Sequence, residues 1–334
     1  MKQHTPLPLP LSRKGRGGKH QRGSAILTAM LLVTLVASLS AAALWQQWRA
    51  IETESVLRSQ VQARWVVQGA LDWSRRVLKD DDNNFDHLGE PWAIPLRDLP
   101  LAAFLAAQSG AADAGTDAGE VAMQDAKLSG AVTDLQARLN LNSLVLPGGA
   151  PHEPSVQAFT RLFDSLQLPR AELNLLVQQL RLAKTLQDPN QAAAEPVPLL
   201  PRTLAQAVWL GLSAGTVERL RPFVTVLPQA TAVNLNTATA EVLAAAIATL
   251  PLSEARRVVV LRAKTPFQTL DAARRAMNLD PTALLETQHS VSSGYFAVQA
   301  QLRLEGLNIA TQALVWRNAK TREVSVLWQD SIVP

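Results

Sequence analysis

The chain has 334 residues, 47% of them hydrophobic, with 32 Lys/Arg against 28 Asp/Glu and no cysteine. That length allows two or three small domains, and the missing cysteines exclude a disulfide framework and thiol chemistry. The net charge of +4 misleads, because the first 23 residues hold six basic side chains and no acidic one, so the rest carries 4 − 6 = −2 and offers no electrostatic case for nucleic acid.

The basic segment (Lys2, Arg13, Lys14, Arg16, Lys19, Arg22) stops at Gly23, and Ser24 to Trp45 then runs without a charge until Arg49. As a helix that run measures roughly 33 Å, enough to cross a bilayer core. The Lys/Arg bias places the N-terminus in the cytoplasm and the body beyond Trp48 on the far side. A cleaved secretory signal is the competing reading, with Ala41-Ala42-Ala43 as its small-residue site. Against it, the apolar run exceeds the usual signal core, and the helical pattern continues without a break to about Lys79. Val66, Ala70, Trp73 and Val77 form one apolar stripe in that continuation.

The cluster Asp80-Asp81-Asp82-Asn83-Asn84 ends the helix. Residues 85–120, with Pro91, Pro95 and Pro100, read as irregular, and 109–119 as a low-complexity loop. Strands are expected at about 120–127 and 129–139, before a break at Pro147-Gly148-Gly149-Ala150-Pro151. Leu and Ala at helical spacing then predict helices over 154–166, 170–186, 203–210, 213–223, 237–247, 253–263, 270–277 and 281–287, with a Pro-rich loop at 187–201. Strand texture returns at 295–304, 308–316 and 324–328, with a turn at Glu305-Gly306. A helical block thus interrupts two blocks of strands, which is the signature of one α/β host carrying an all-helical insertion at a loop tip.

This order resembles the pilin and pseudopilin architecture, and three features narrow the resemblance to the protein K family of type II secretion systems. Leu139-Asn140-Leu141-Asn142-Ser143-Leu144 resembles the family motif before its helical insertion. Phe223 to Pro228, followed by Val233-Asn234-Leu235-Asn236-Thr237-Ala238, resembles its link between two helical subdomains. The fifth residue counted from Ser24 is Thr28, where other pilins carry Glu and this family does not. The resemblance implies an α+β fold: a pilin-like long N-terminal helix with a small antiparallel sheet, interrupted by a helical, SAM-like or helix-hairpin-helix-like insertion. It implies a leader at 1–23, a transmembrane helix at 24–46, a pseudopilin helix and first strands at 47–144, helical subdomains at 145–230 and 231–290, and closing strands at 291–334.

By the same resemblance, prepilin peptidase cuts between Gly23 and Ser24, and the protein is anchored in the inner membrane. Its partners would be minor pseudopilins I, J and H at the tip of a periplasmic pseudopilus, with the secretin or a secreted protein beyond. Thr28 suits a tip position, because no subunit above supplies an amine to pair a buried carboxylate, and an unpaired charge in lipid costs about 2.5–3.5 kcal/mol. Its hydroxyl is expected to bond back one turn. The Asn pairs are expected to serve backbone at element boundaries.

Residues 234–275 also resemble a helix-hairpin-helix DNA-binding module, the alternative function being a membrane-tethered DNA-uptake protein. Yet the hairpin Thr249-Leu250-Pro251-Leu252-Ser253 lacks the glycines whose N–H groups cradle phosphate, and Arg256, Arg257 and Arg262 read as a solvated face. Calcium is associated with the family's insertion loop. Here Asp188, Asn190 and Glu195 are the ligands on offer, a thin set for an ion needing six to eight oxygens. No nucleophile elbow, phosphate loop or His-Glu-x-x-His motif marks an enzyme, and His289-Ser290 stand without an orienting acid.

Overall fold

The computed structural model describes residues 22–81, 84–109, 125–185, 198–304 and 307–332. It divides into two units, residues 1–60 and 61–334. Helix α1 spans Arg22–Asp80. In the first unit its described side chains from Ser24 to Arg58 are all exposed.

In the second unit α1 packs on a five-stranded antiparallel sheet of order β1-β2-β7-β8-β9. These strands are β1 (Leu96–Pro100), β2 (Lys127–Asp134), β7 (Tyr295–Leu304), β8 (Leu307–Arg317) and β9 (Val324–Ile332). Ala63, Val67 and Ala70 meet Leu128, Ala300 and Leu302, while Leu71 and Leu78 meet Trp92, Phe296 and Val315. The buried stripe of α1 therefore centres slightly to one side of the predicted one. Trp73 sits at its margin, 36% exposed, with its ring edge-on to Phe104 at 5.9 Å.

The region expected to be irregular holds β1 and a helix, α2 (Leu101–Ser109). Pro100 is tolerated because β1 is an edge strand, and Leu-Ala-Ala-Phe-Leu-Ala-Ala is a good helix former. The strand expected over 120–127 lies largely outside the described residues. Most of the next is β2, which yields after Asp134 to a 3-10 turn, Leu135–Ala137. The closing strands follow the alternation closely, and β7 and β8 pair as far as Leu304↔Leu307. The Glu305-Gly306 turn, part of 109–119 and much of 187–201 lie outside the described residues.

Between β2 and β7 lies the helical insertion: α3 (Glu153–Ser165), α4 (Arg170–Thr185), a 3-10 helix (Leu204–Leu210), α5 (Ala214–Leu220), α6 (Ala240–Ala246), α7 (Leu252–Lys264) and α8 (Leu270–Ala276). The helix expected over 281–287 is absent. Those residues form turns, Ala283 N–H bonding Asp280 O and Gln288 N–H bonding Leu285 O, in a segment too short to bury a face. Two minimal parallel pairs tie the insertion together: β3 (Leu139–Asn140) with β4 (Val224–Thr225), and β5 (Val233–Asn234) with β6 (His289–Ser290). One continuous apolar core runs through it, from Leu139 past Phe159, Leu176 and Leu220 to Leu243, Phe267 and Ala273.

Candidate functional site

Gly23 and Ser24 stand at the start of α1. The Thr28 hydroxyl donates to Ser24 O at 2.8 Å, Thr34 to Leu31 O at 2.9 Å and Ser38 to Thr34 O at 2.7 Å, so these hydroxyls are satisfied within the helix. From Ser24 onward α1 is long and apolar enough to cross a membrane. Further along, Val61 and Trp65, one turn apart, are 52% and 72% exposed, while Ala63 and Val67 beside them are buried against the sheet. The helix therefore offers a second apolar face that its own head does not cover.

Both Asn motifs use the same local device. Asn140 Oδ1 accepts from Asn142 N–H at 3.0 Å, and Asn234 Oδ1 from Asn236 N–H at 2.9 Å. The second Asn of each then reaches distant backbone: Asn142 Nδ2 donates to Leu227 O at 2.5 Å, and Asn236 brackets Phe267 through its N–H and C=O, both at 2.8 Å. Their role is structural.

Asn234 does more, because it enters a buried polar joint at one end of the sheet. Asp134, the last residue of β2 and 2% exposed, accepts from Gln136 N–H at 2.7 Å, Asn234 Nδ2 at 3.0 Å, Thr237 Oγ1 at 2.5 Å and Ser293 Oγ at 2.7 Å. Asp86 accepts from Ser293 N–H at 2.7 Å and Arg317 Nη2 at 2.5 Å. Arg317, the last residue of β8, also reaches Asp81 at 2.9 Å and the Leu78 carbonyl near the end of α1. Burial pushes Asp134 upward despite its four donors, and pushes Asp86 up to about 6 against the pull of Arg317. This joint ties α1, β2, β7 and β8 to the insertion through Asn234 and Thr237. Of its members only Asn234 and Thr237 belong to a sequence motif; Asp86, Asp134, Ser293 and Arg317 stand in none.

Asp188, Asn190 and Glu195 lie outside the described residues. Elsewhere, Asp81, Asp86 and Glu90 bring one oxygen each within 4.8 Å of the others. Arg317 occupies two of these carboxylates, and Trp92 Nε1 donates to Glu90 at 2.5 Å, so the trio already has protein donors.

In the segment resembling helix-hairpin-helix modules, Arg256 and Arg257 are exposed, and Arg257 pairs with Glu254 at 3.1 Å. Arg262 departs from the expected solvated face. It is buried, donating to the carbonyls of Leu235 and Ala238, and burial lowers it to about 10. It staples α7 to the second Asn motif. His289 is buried too, its Nδ1 accepting from Leu285 N–H at 3.1 Å.

Two family models, both described as type II secretion system protein K, match residues 137–229 and 233–292. Type II secretion system protein K of Pseudomonas aeruginosa is 28% identical, over 85% of either chain, and that of Klebsiella pneumoniae 27%, over 92% of either. The fold matches a chain in the crystal structure of the GspK-GspI-GspJ complex from the enterotoxigenic Escherichia coli type 2 secretion system. The TM-score is 0.60 at 21% identity, covering 85% of this chain and all of that one. A long N-terminal helix, apolar enough over its first part to cross a membrane and packed over its last part on a small antiparallel sheet, defines the class: a membrane-anchored, pilin-like protein with a helical insertion. Within that class the chain belongs to the type II secretion system protein K family, the minor pseudopilins of that system.

Proposed function

We propose that this minor pseudopilin works at the tip of a short periplasmic pseudopilus and closes it. The leader is removed between Gly23 and Ser24 by prepilin peptidase. The helix leaves the inner membrane with its N-terminus on the cytoplasmic side. It packs beside the helices of minor pseudopilins I and J, with H below, while the insertion faces the secretin or a secreted protein. One observation carries this reading. The joint that roots the insertion lies at the end of the sheet where α1 finishes: Leu78 and Asp81, Asp134, Ser293 and Arg317 all meet there. The insertion is therefore built onto the far end of the head along α1. It is larger than the head and occupies the place where a further subunit would stack. Val61 and Trp65 supply an uncovered helical face for a neighbouring helix, and Thr28 leaves no carboxylate in need of a partner above.

The test uses pseudopili isolated from cells and gold-labelled through a tag in the insertion, with N-terminal sequencing of the same material. Label at one end and a chain starting at Ser24 are expected. Label spread along the length would overturn the cap reading, and a chain starting at Met1 the processing.

A further inference from the structure

The apolar run ends at Trp45; the polar Gln46 and Gln47, then Trp48, precede the first charge, Arg49. Trp45 and Trp48 are 59% and 63% exposed, and three residues apart they project from neighbouring positions on one side of α1. The Arg49 guanidinium lies 4.7 Å from the centroid of the Trp45 ring, so cation and aromatic ring form one unit on the helix surface. Tryptophan settles at the level of lipid headgroups because its ring is apolar and its indole N–H needs an acceptor, and arginine there meets phosphate. From Ser24 to Leu44 there is no Trp, Tyr, Lys or Arg.

We infer that Trp45, Trp48 and Arg49 form a phospholipid-binding collar that sets the depth of α1 at the outer surface of the membrane, the stretch from Ser24 to Leu44 carrying no aromatic or basic anchor of its own apart from the terminal amine. The inference rests on α1 being a membrane span. It gives the anchor a direction. Before cleavage, six basic residues hold the cytoplasmic end, since moving them outward would carry charge through the apolar layer. After cleavage, apart from the terminal amine, Ser24-Ala25-Ile26-Leu27-Thr28 offers the cytoplasmic surface nothing to hold. The collar already lies on the outer side, where it resists sinking inward, and outward movement carries no charged side chain through the apolar layer. This suits a subunit lifted from the membrane into a filament.

The test uses the full chain, processed to Ser24, in vesicles of phosphatidylethanolamine and phosphatidylglycerol. The absence of natural cysteine allows single-Cys variants at Ala37, Ala43, Gln47 and Thr53 without background. An impermeant maleimide is expected to leave Ala37→Cys and Ala43→Cys unlabelled and to label Thr53→Cys fully. Adding Trp45→Ala with Trp48→Ala should raise labelling at Ala43→Cys by about threefold or more, and replacing both by Tyr should restore protection. In parallel, the fluorescence lost on Trp45→Ala/Trp48→Ala should be quenched most by lipids brominated near the headgroup. Unchanged labelling at Ala43→Cys, or quenching strongest by deeply brominated lipid, would overturn the collar while leaving the span intact. Full labelling at Ala37→Cys would overturn the span itself.

Discussion

Asp134 is the side chain from which the insertion hangs. Its carboxylate has four donors, two of them from residues a hundred or more positions away in the insertion, Asn234 and Thr237. Asn234 also donates to the Asp86 carbonyl at 3.2 Å and to Ser293 Oγ at 3.0 Å. Asn234→Ala removes all of these at once and leaves a buried carboxylate short of a donor. The expected loss is about 2–4 kcal/mol, read as a lower denaturation midpoint by tryptophan fluorescence. The same joint makes stability depend on pH. Asp86 is raised from 3.8 to about 6 by burial, so the folded chain binds its proton more tightly than the unfolded chain does. Its contribution is therefore largest when protonated, below the unfolded value, and is lost as pH rises through about 6. Taken alone, Asp86 gives a slope of up to about 3 kcal/mol in favour of acid between pH 7 and 4; Asp134 acts in the same direction, while His289, held down by burial, and Asp164, held down by its bond to Arg170, act against it. Asp86→Asn should flatten this slope in denaturation series across that range. A slope unchanged by the substitution would refute the assignment.

At the scale of elements, glycine conformation supplies a sharp test. Gly211 ends the 3-10 helix Leu204–Leu210 with φ +99°, and a Cβ there would lie 2.3 Å from Leu175 Cδ2 on α4. Gly211→Ala should cost at least about 2 kcal/mol, from left-handed strain and from displacing Leu175. Gly215, within α5, has nothing within 4 Å of the same added atom, and Gly215→Ala should cost nothing or stabilise. The contrast between them is measurable by thermal denaturation.

What was legible at this scale follows from how local each signal is. Strand β7 reads directly from alternation, because its side chains must alternate to face α1. The long helix and the Asn motifs read from runs of a few residues. Strand β1 and α2 were hidden by three prolines, since an edge strand tolerates what a central strand cannot. Arg262 looked solvated because helical spacing does not reveal that the carbonyls of Leu235 and Ala238 converge on it. The joint was illegible for a topological reason. Asp134 meets Ser293 across 159 residues and Asp86 meets Arg317 across 231, contacts that exist only once the sheet has closed. The family motifs, by contrast, are local runs, one at the entrance to the insertion and one at the link between its two helical subdomains, and carried the resemblance.

Sheet and insertion belong to one unit, so where the insertion is cut decides how its role should be tested. Excising 150–289 and closing the gap cuts through the insertion's core. It leaves Leu139, Leu141 and Leu144, all buried there, without their partners, and removes Asn234 and Thr237 from Asp134. Such a chain should aggregate, and its failure would say nothing about the tip. A cleaner boundary lies nearer the strands. Asp134 pairs with Phe296 in the β2–β7 register, and Gly294 N–H bonds Gln136 Oε1 at 2.7 Å, so the ends at Ala137 and Ser293 are close. Excising 138–292, bridging with a short Gly-Ser turn and changing Asp134→Asn removes the insertion together with the charge it satisfied. Thermal denaturation should show a cooperative head, because both clusters that pack α1 against the sheet are intact. Cells carrying this chain should insert it in the membrane normally yet export far less of a type II substrate, measured as extracellular enzyme. Wild-type export by a demonstrably folded, insertion-free chain would show that the head and helix suffice and that the insertion is not the working part of the tip.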